Sequence, residues 1–87
     1  MAVLVIRAHK RFAVCRKARV ECERGRPADA LLIELSLDGC RLSMKAPQAE
    51  VGDLISLSVA GADPIEARVR WAGEGTLGLR FVQPLHI

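Results

Sequence analysis

Aromatic side chains are nearly missing from this 87-residue chain: it has no tyrosine, and Phe12, Trp71 and Phe81 are the full complement. A core without rings must be built from Val, Leu, Ile and Ala, and an apolar content of 51% is enough for a modest one. The same content excludes an intrinsically disordered chain, which is poor in apolar residues. Few rings also count against a nucleic-acid-binding barrel, which stacks bases on exposed aromatics; Trp71 and Phe81 follow the apolar parity of their segments, leaving Phe12 alone. Cysteine pairing motifs are absent too. Cys15, Cys22 and Cys40 are odd in number and form no CxxC, so free thiols in a reducing cytosol are expected. No metal-ligand spacing occurs, and His9 and His86 lie near opposite ends, so no nucleophile–base pair forms. A non-enzymatic protein without metal or cofactor is the expectation. The run "MAVLVI" is shorter than the roughly 7–15 residues of a signal core or the about 20 of a membrane span, which points to a cytoplasmic protein with no membrane partner.

What the chain does have is charge, unevenly placed. Residues 1–26 carry eight Lys/Arg against Glu21 and Glu23, a net of +6, while residues 27–87 carry five against eight acids, a net of −3. A basic end on an acidic body suggests a local anion site more than a general polyanion surface, although a solvated charged face gives the same pattern.

Period two dominates the rest. "ARVECE", "GCRLSM", "LISLSV", "IEARVRW" and "LGLRF" alternate apolar with polar residues, as half-buried antiparallel strands do. Turn signals separate them: "ERGRP", "LDGC", "KAPQAEVGD", "AGADP" and "AGEGT". "ADALLIELSL" reads as strand or short helix, and β-branched Ile33 together with its place between strands favours a strand. Six short strands and no convincing helix predict an all-β fold, a small six-stranded antiparallel β-barrel closed or nearly closed to hide its edges. Cys22 and Cys40 share the parity of apolar neighbours and are expected to face inward.

Two short stretches carry chemistry. "RAHKR" places Arg7 and Arg11 on the segment leading into the barrel, with Lys10 between them. "ELSLDG" spaces a carboxylate, a hydroxyl and a glycine as Glu34-x-Ser36-x-x-Gly39. On a strand Glu34 and Ser36 share a face, and Gly39 can close the following turn with a positive φ. Taken alone, the first reads more readily as a solubilising basic arm and the second as a solvent-facing Glu and Ser before a hairpin.

In this order the two motifs resemble the PilZ domain, a bacterial receptor family for cyclic di-GMP with RxxxR before the first strand and [D/N]xSxxG near the second-to-third strand turn. Arg7-Ala-His-Lys-Arg11 matches the first; the second matches at Ser36 and Gly39, with Glu34 where the family has Asp or Asn. "RFAVCRKARVEC" is similar to the family's entry into strand one, and "ARVRWAGEGTLGLRFV" to its closing pair. The resemblance implies an arm over residues 1–12, flexible and basic, a barrel over 13–87 and little or no C-terminal helix. It implies a second-messenger receptor or adaptor with Arg7, Arg11, Glu34, Ser36 and Gly39 as ligand-binding residues and Lys10 and Arg41 as accessories. Arginine suits a phosphate or the guanine O6/N7 edge, and a carboxylate suits the N1–H and amino edge. The extra methylene of Glu34 is expected to weaken that contact by ~1 kcal/mol. Ile6, the residue just before RxxxR, is apolar, and the resemblance then implies one ligand, not a stacked pair. The partners implied are cyclic di-GMP and an unidentified downstream protein, in a monomer or weak dimer. Two alternatives stay open: a degenerate PilZ-like interaction module without nucleotide, and a small nucleic-acid-binding barrel.

Overall fold

The computed structural model describes residues 11–23, 25–45 and 49–85. The arm arginine Arg7, Lys10, both histidines and Ile6 lie outside them. Six strands follow in chain order: β1 (Phe12–Cys22), β2 (Ala28–Leu35), β3 (Gly39–Ser43), β4 (Leu54–Val59), β5 (Ile65–Gly73) and β6 (Thr76–Phe81). No helix occurs among the described residues, and the ambiguous "ADALLIELSL" is strand β2. The strands close into an antiparallel barrel in the order β1-β2-β3-β6-β5-β4.

Alternation explains the core. Ala18 and Val20, Ala30 and Leu32, Leu42, Ile55 and Leu57, Ala67 and Val69, and Leu77, Leu79 and Phe81 point inward from the six strands. Cys22 and Cys40 pack against this cluster, in agreement with their parity. Burial pushes the Cys40 thiol up to about 12, because a thiolate there would lose its hydration. The other apolar aromatic reading fails. Phe81 is buried, but Trp71 is 45% exposed.

The reason is a break in register. Val69 pairs with Leu79, yet Trp71 pairs with Gly78, so β5 carries one extra residue, Arg70, against β6. Such a bulge reverses the face of everything after it. A second one lies on β2, where Leu32 pairs with Leu42 but Glu34 pairs with Arg41, leaving Ile33 extra. Strict alternation from buried Leu32 would drive Glu34 into the core; the bulge turns it outward and Leu35 inward.

Candidate functional site

The two bulges build one row across the outside of the barrel. Glu34 on β2 stands opposite Arg41 on β3, Arg41 opposite Gly78 on β6, and Gly78 opposite Trp71 on β5. A carboxylate, a guanidinium, a gap and an indole therefore lie side by side on four adjacent strands. Gly78 is required as the gap: a Cβ there would fall 2.2 Å from Trp71 Cε2 and Nε1, so the indole lies across the glycine. The row floors a cleft of about 490 Å³, whose lining also includes Arg11, Ser36, Asp38, Gly39, Arg70 and Arg80.

Glu34 is the electrostatic centre. Its Oε2 accepts from Arg41 Nη2 at 3.0 Å, and its Oε1 lies 3.3 Å from Arg11 Nη1. The structure thus joins the end of the predicted arm to the strand motif through Glu34. Arg11 stays 73% exposed while the Glu34 side chain is 24% exposed, so the arm residue reaches in over a partly sheltered carboxylate.

Ser36 serves the turn that shapes this end of the cleft. Its Oγ accepts from the backbone N–H of Asp38 at 3.3 Å and of Gly39 at 3.2 Å, and its hydroxyl is 3.3 Å from the Gly39 carbonyl. The Ser36 N–H donates to the same carbonyl at 2.9 Å, closing a hairpin with Leu37 and Asp38 at its tip. The tip is fastened to the chain end: Phe81 N–H donates to the Asp38 carbonyl at 2.7 Å and Leu85 N–H to the Leu37 carbonyl at 2.9 Å.

Gly39 corrects an expectation. It is not among the positive-φ glycines, which are Gly52, Gly61 and Gly75. It is needed because a Cβ would lie 2.1 Å from the Leu79 carbonyl oxygen of β6. The glycine permits β3 and β6 to approach at the mouth of the cleft, and it is buried there, not open to solvent.

Of the sequence-predicted residues, Arg11, Glu34, Ser36, Gly39 and Arg41 come together in this cleft, while Arg7 and Lys10 lie outside the described residues. Trp71, Arg70 and Arg80 were not foreseen. One sequence signal was available for the first: Gly78 interrupts the apolar run "LGL", and a glycine inside a strand often marks the close approach of a bulky neighbour. Among the described residues no cluster of His, Cys, Asp and Glu could hold a metal ion. No helix is long and apolar enough to cross a membrane among them.

Comparison with known proteins agrees with the barrel fold. A comparison with curated proteins returns no match. Among solved structures, the PilZ domain of CeSA from a cellulose-synthesizing bacterium matches with a TM-score of 0.73 at 16% identity, covering 87% of this chain and 83% of that one. At that identity the likeness concerns the fold. The profile of the PilZ domain matches residues 6–87, the span that holds both motifs and all six strands. This chain belongs to the PilZ domain family.

Proposed function

We propose that the protein is a cyclic di-GMP receptor that acts as an adaptor for a downstream protein, binding the nucleotide in the cleft between Arg11, Glu34 and Trp71. The observation that carries the reading is the Glu34–Arg41–Gly78–Trp71 row, assembled by two bulges and met by Arg11. Its parts answer the parts of the ligand. The indole over Gly78 offers a flat face on which a purine can stack. Glu34 supplies two acceptors for the guanine N1–H and amino group, and the arm arginines supply forked donors for O6 and N7. The cleft's volume falls in the range of about 300–1,000 Å³ usual for small-molecule sites.

Charge balance supports the same ligand. Arg11, Arg41, Arg70 and Arg80 line the cleft against Glu34 and Asp38, an excess of two cations. A cyclic dinucleotide brings two phosphates, each with one negative charge. Binding engages the arm, and the reshaped surface is what a protein partner reads. The role requires no catalysis and no cofactor.

The double ion pair on Glu34 favours a second reading, an adaptor that keeps the carboxylate for its own arginines and binds protein alone. Calorimetric titration with cyclic di-GMP, with GMP as control, separates the two. Saturable binding at low-micromolar affinity or better, absent for GMP, is the expected result; no heat at high-micromolar ligand leaves the adaptor without nucleotide.

A further inference from the structure

Four arginines line the cleft, but they are not equally available. Arg11 and Arg41 are both committed to the Glu34 carboxylate. The side chains of Arg70 and Arg80 make no hydrogen bond or ion pair among the described residues. The uncompensated positive charge therefore sits on β5 and β6, on residues outside both motifs, with Arg80 directly opposite Gly39 of the second.

The sheet crowds further charge there. Arg80 stands directly opposite Arg68 in the β5–β6 register. Like charges facing each other across a pair of strands are unfavourable. Arg68 donates from Nη1 to the Gly52 carbonyl at 3.1 Å, which draws it toward the β4 side. Arg80 is left exposed, its side chain in no ion pair among the described residues. Arg70 is the extra residue of the bulge, so it and Trp71 are both exposed in succession, where an unbroken strand would bury one of them. A bulge, an indole laid on a glycine and two unpaired guanidiniums thus occur within three consecutive register positions of a rigid sheet.

We propose that Arg70 and Arg80 form a phosphate-binding subsite on the barrel wall beside the Trp71 indole. The proposal rests on the dinucleotide reading of the cleft and refines it: the wall arginines hold the phosphodiester anion, and the arm arginines are left for the guanine edges. Guanidinium forks suit phosphate oxygens, and the exposed strand positions let them approach without breaking any native contact.

The test compares Arg70→Gln/Arg80→Gln with Arg11→Gln in the full chain. All three positions are exposed, and thermal melts verify that the variants fold. Cyclic di-GMP affinity is measured at several salt concentrations. The wall variant is expected to lose at least about thirtyfold in affinity and to flatten the salt dependence, as when charge-assisted contacts to phosphate are removed. Arg11→Gln is expected to leave the salt dependence close to that of the parent. A wall variant whose affinity and salt dependence match the parent overturns the subsite. If the parent itself does not bind cyclic di-GMP, the receptor reading fails but the subsite is still decided by pyrophosphate, followed through the arginine side-chain N–H resonances. Shifts at Arg70 and Arg80 that saturate at millimolar pyrophosphate support it. Their absence overturns it.

Discussion

At Glu34 one methylene decides how the site rests. The longer side chain lets one carboxylate span Arg41 Nη2 at 3.0 Å and Arg11 Nη1 at 3.3 Å, so each arginine it holds must be released before it meets a ligand. Glu34→Asp keeps two acceptor oxygens but shortens the reach, and the longer contact, with the exposed Arg11 side chain, is the one it surrenders. We expect about fivefold tighter cyclic di-GMP binding in calorimetry, equivalent to ~1 kcal/mol; weaker binding would show that glutamate is the better fit here. Gly78 permits a sharper separation of binding from stability. In Gly78→Ala the new Cβ collides with the indole, not with backbone, and the 45%-exposed ring can swing outward. The melting temperature should fall by only a few degrees, consistent with a cost of about 1 kcal/mol, while ligand-induced quenching of Trp71 fluorescence disappears. Retained quenching in that variant would detach the platform from the ligand.

At the scale of the element, the β2–β3 hairpin and the two bulges do the positioning. Ser36→Ala removes the acceptor of two backbone N–H groups at the hairpin tip, much as loss of a helix cap does, and should cost about 0.5–2 kcal/mol in chemical denaturation. If Ser36 also touches the ligand, affinity falls by more than the turn alone explains, and Ser36→Thr restores both. The strands themselves were readable because each is half-buried, so an inward and an outward side chain alternate visibly in "LISLSV" or "IEARVRW". Glu34 and Ser36 were legible as a motif, but the outward turn of Glu34 depends on the Ile33 bulge and not on the alternation. The bulges were not legible. Each consists of one residue, Ile33 or Arg70, whose displacement is set by the neighbouring strand and leaves no local pattern. Hence Trp71 reads as inward-facing, and nothing in the alternation sets Arg70 and Arg80 apart from other polar strand positions. Gly39 could be identified as necessary, but its cause was not local: the demand comes from Leu79, forty residues further along.

For the whole molecule, closure of the barrel ties the site to the core through β3. Cys40 neighbours Gly39 and packs inward between Leu35 and Leu79 in register. Its thiol is raised from an ordinary 9.0 to about 12 by burial, so the folded state favours the protonated form. That contribution to stability is complete below pH 9 and declines as pH rises from there toward 12, since only the unfolded chain ionises in that window. Denaturation midpoints should drop between pH 9 and 10.5, and Cys40→Val should reduce the drop. An alkylating reagent at pH 8 should modify exposed Cys15 first and reach Cys40 only on unfolding, as read by mass spectrometry. Equal labelling of the two thiols in the native protein would contradict a closed wall at β3.

The bulges also behave as half-period phase slips in a wave of period two. Exchanging the side chain at position 70 leaves the phase intact and Trp71 outside, whereas removing that residue would restore the alternation and aim an indole at an interior already filled by Leu77, Leu79 and Phe81. In this fold the spacing between Val69 and Trp71 therefore carries information that the identity of the intervening residue does not. Among related chains, a one-residue gap in β5 is a stronger sign of a lost stacking surface than any mismatch there.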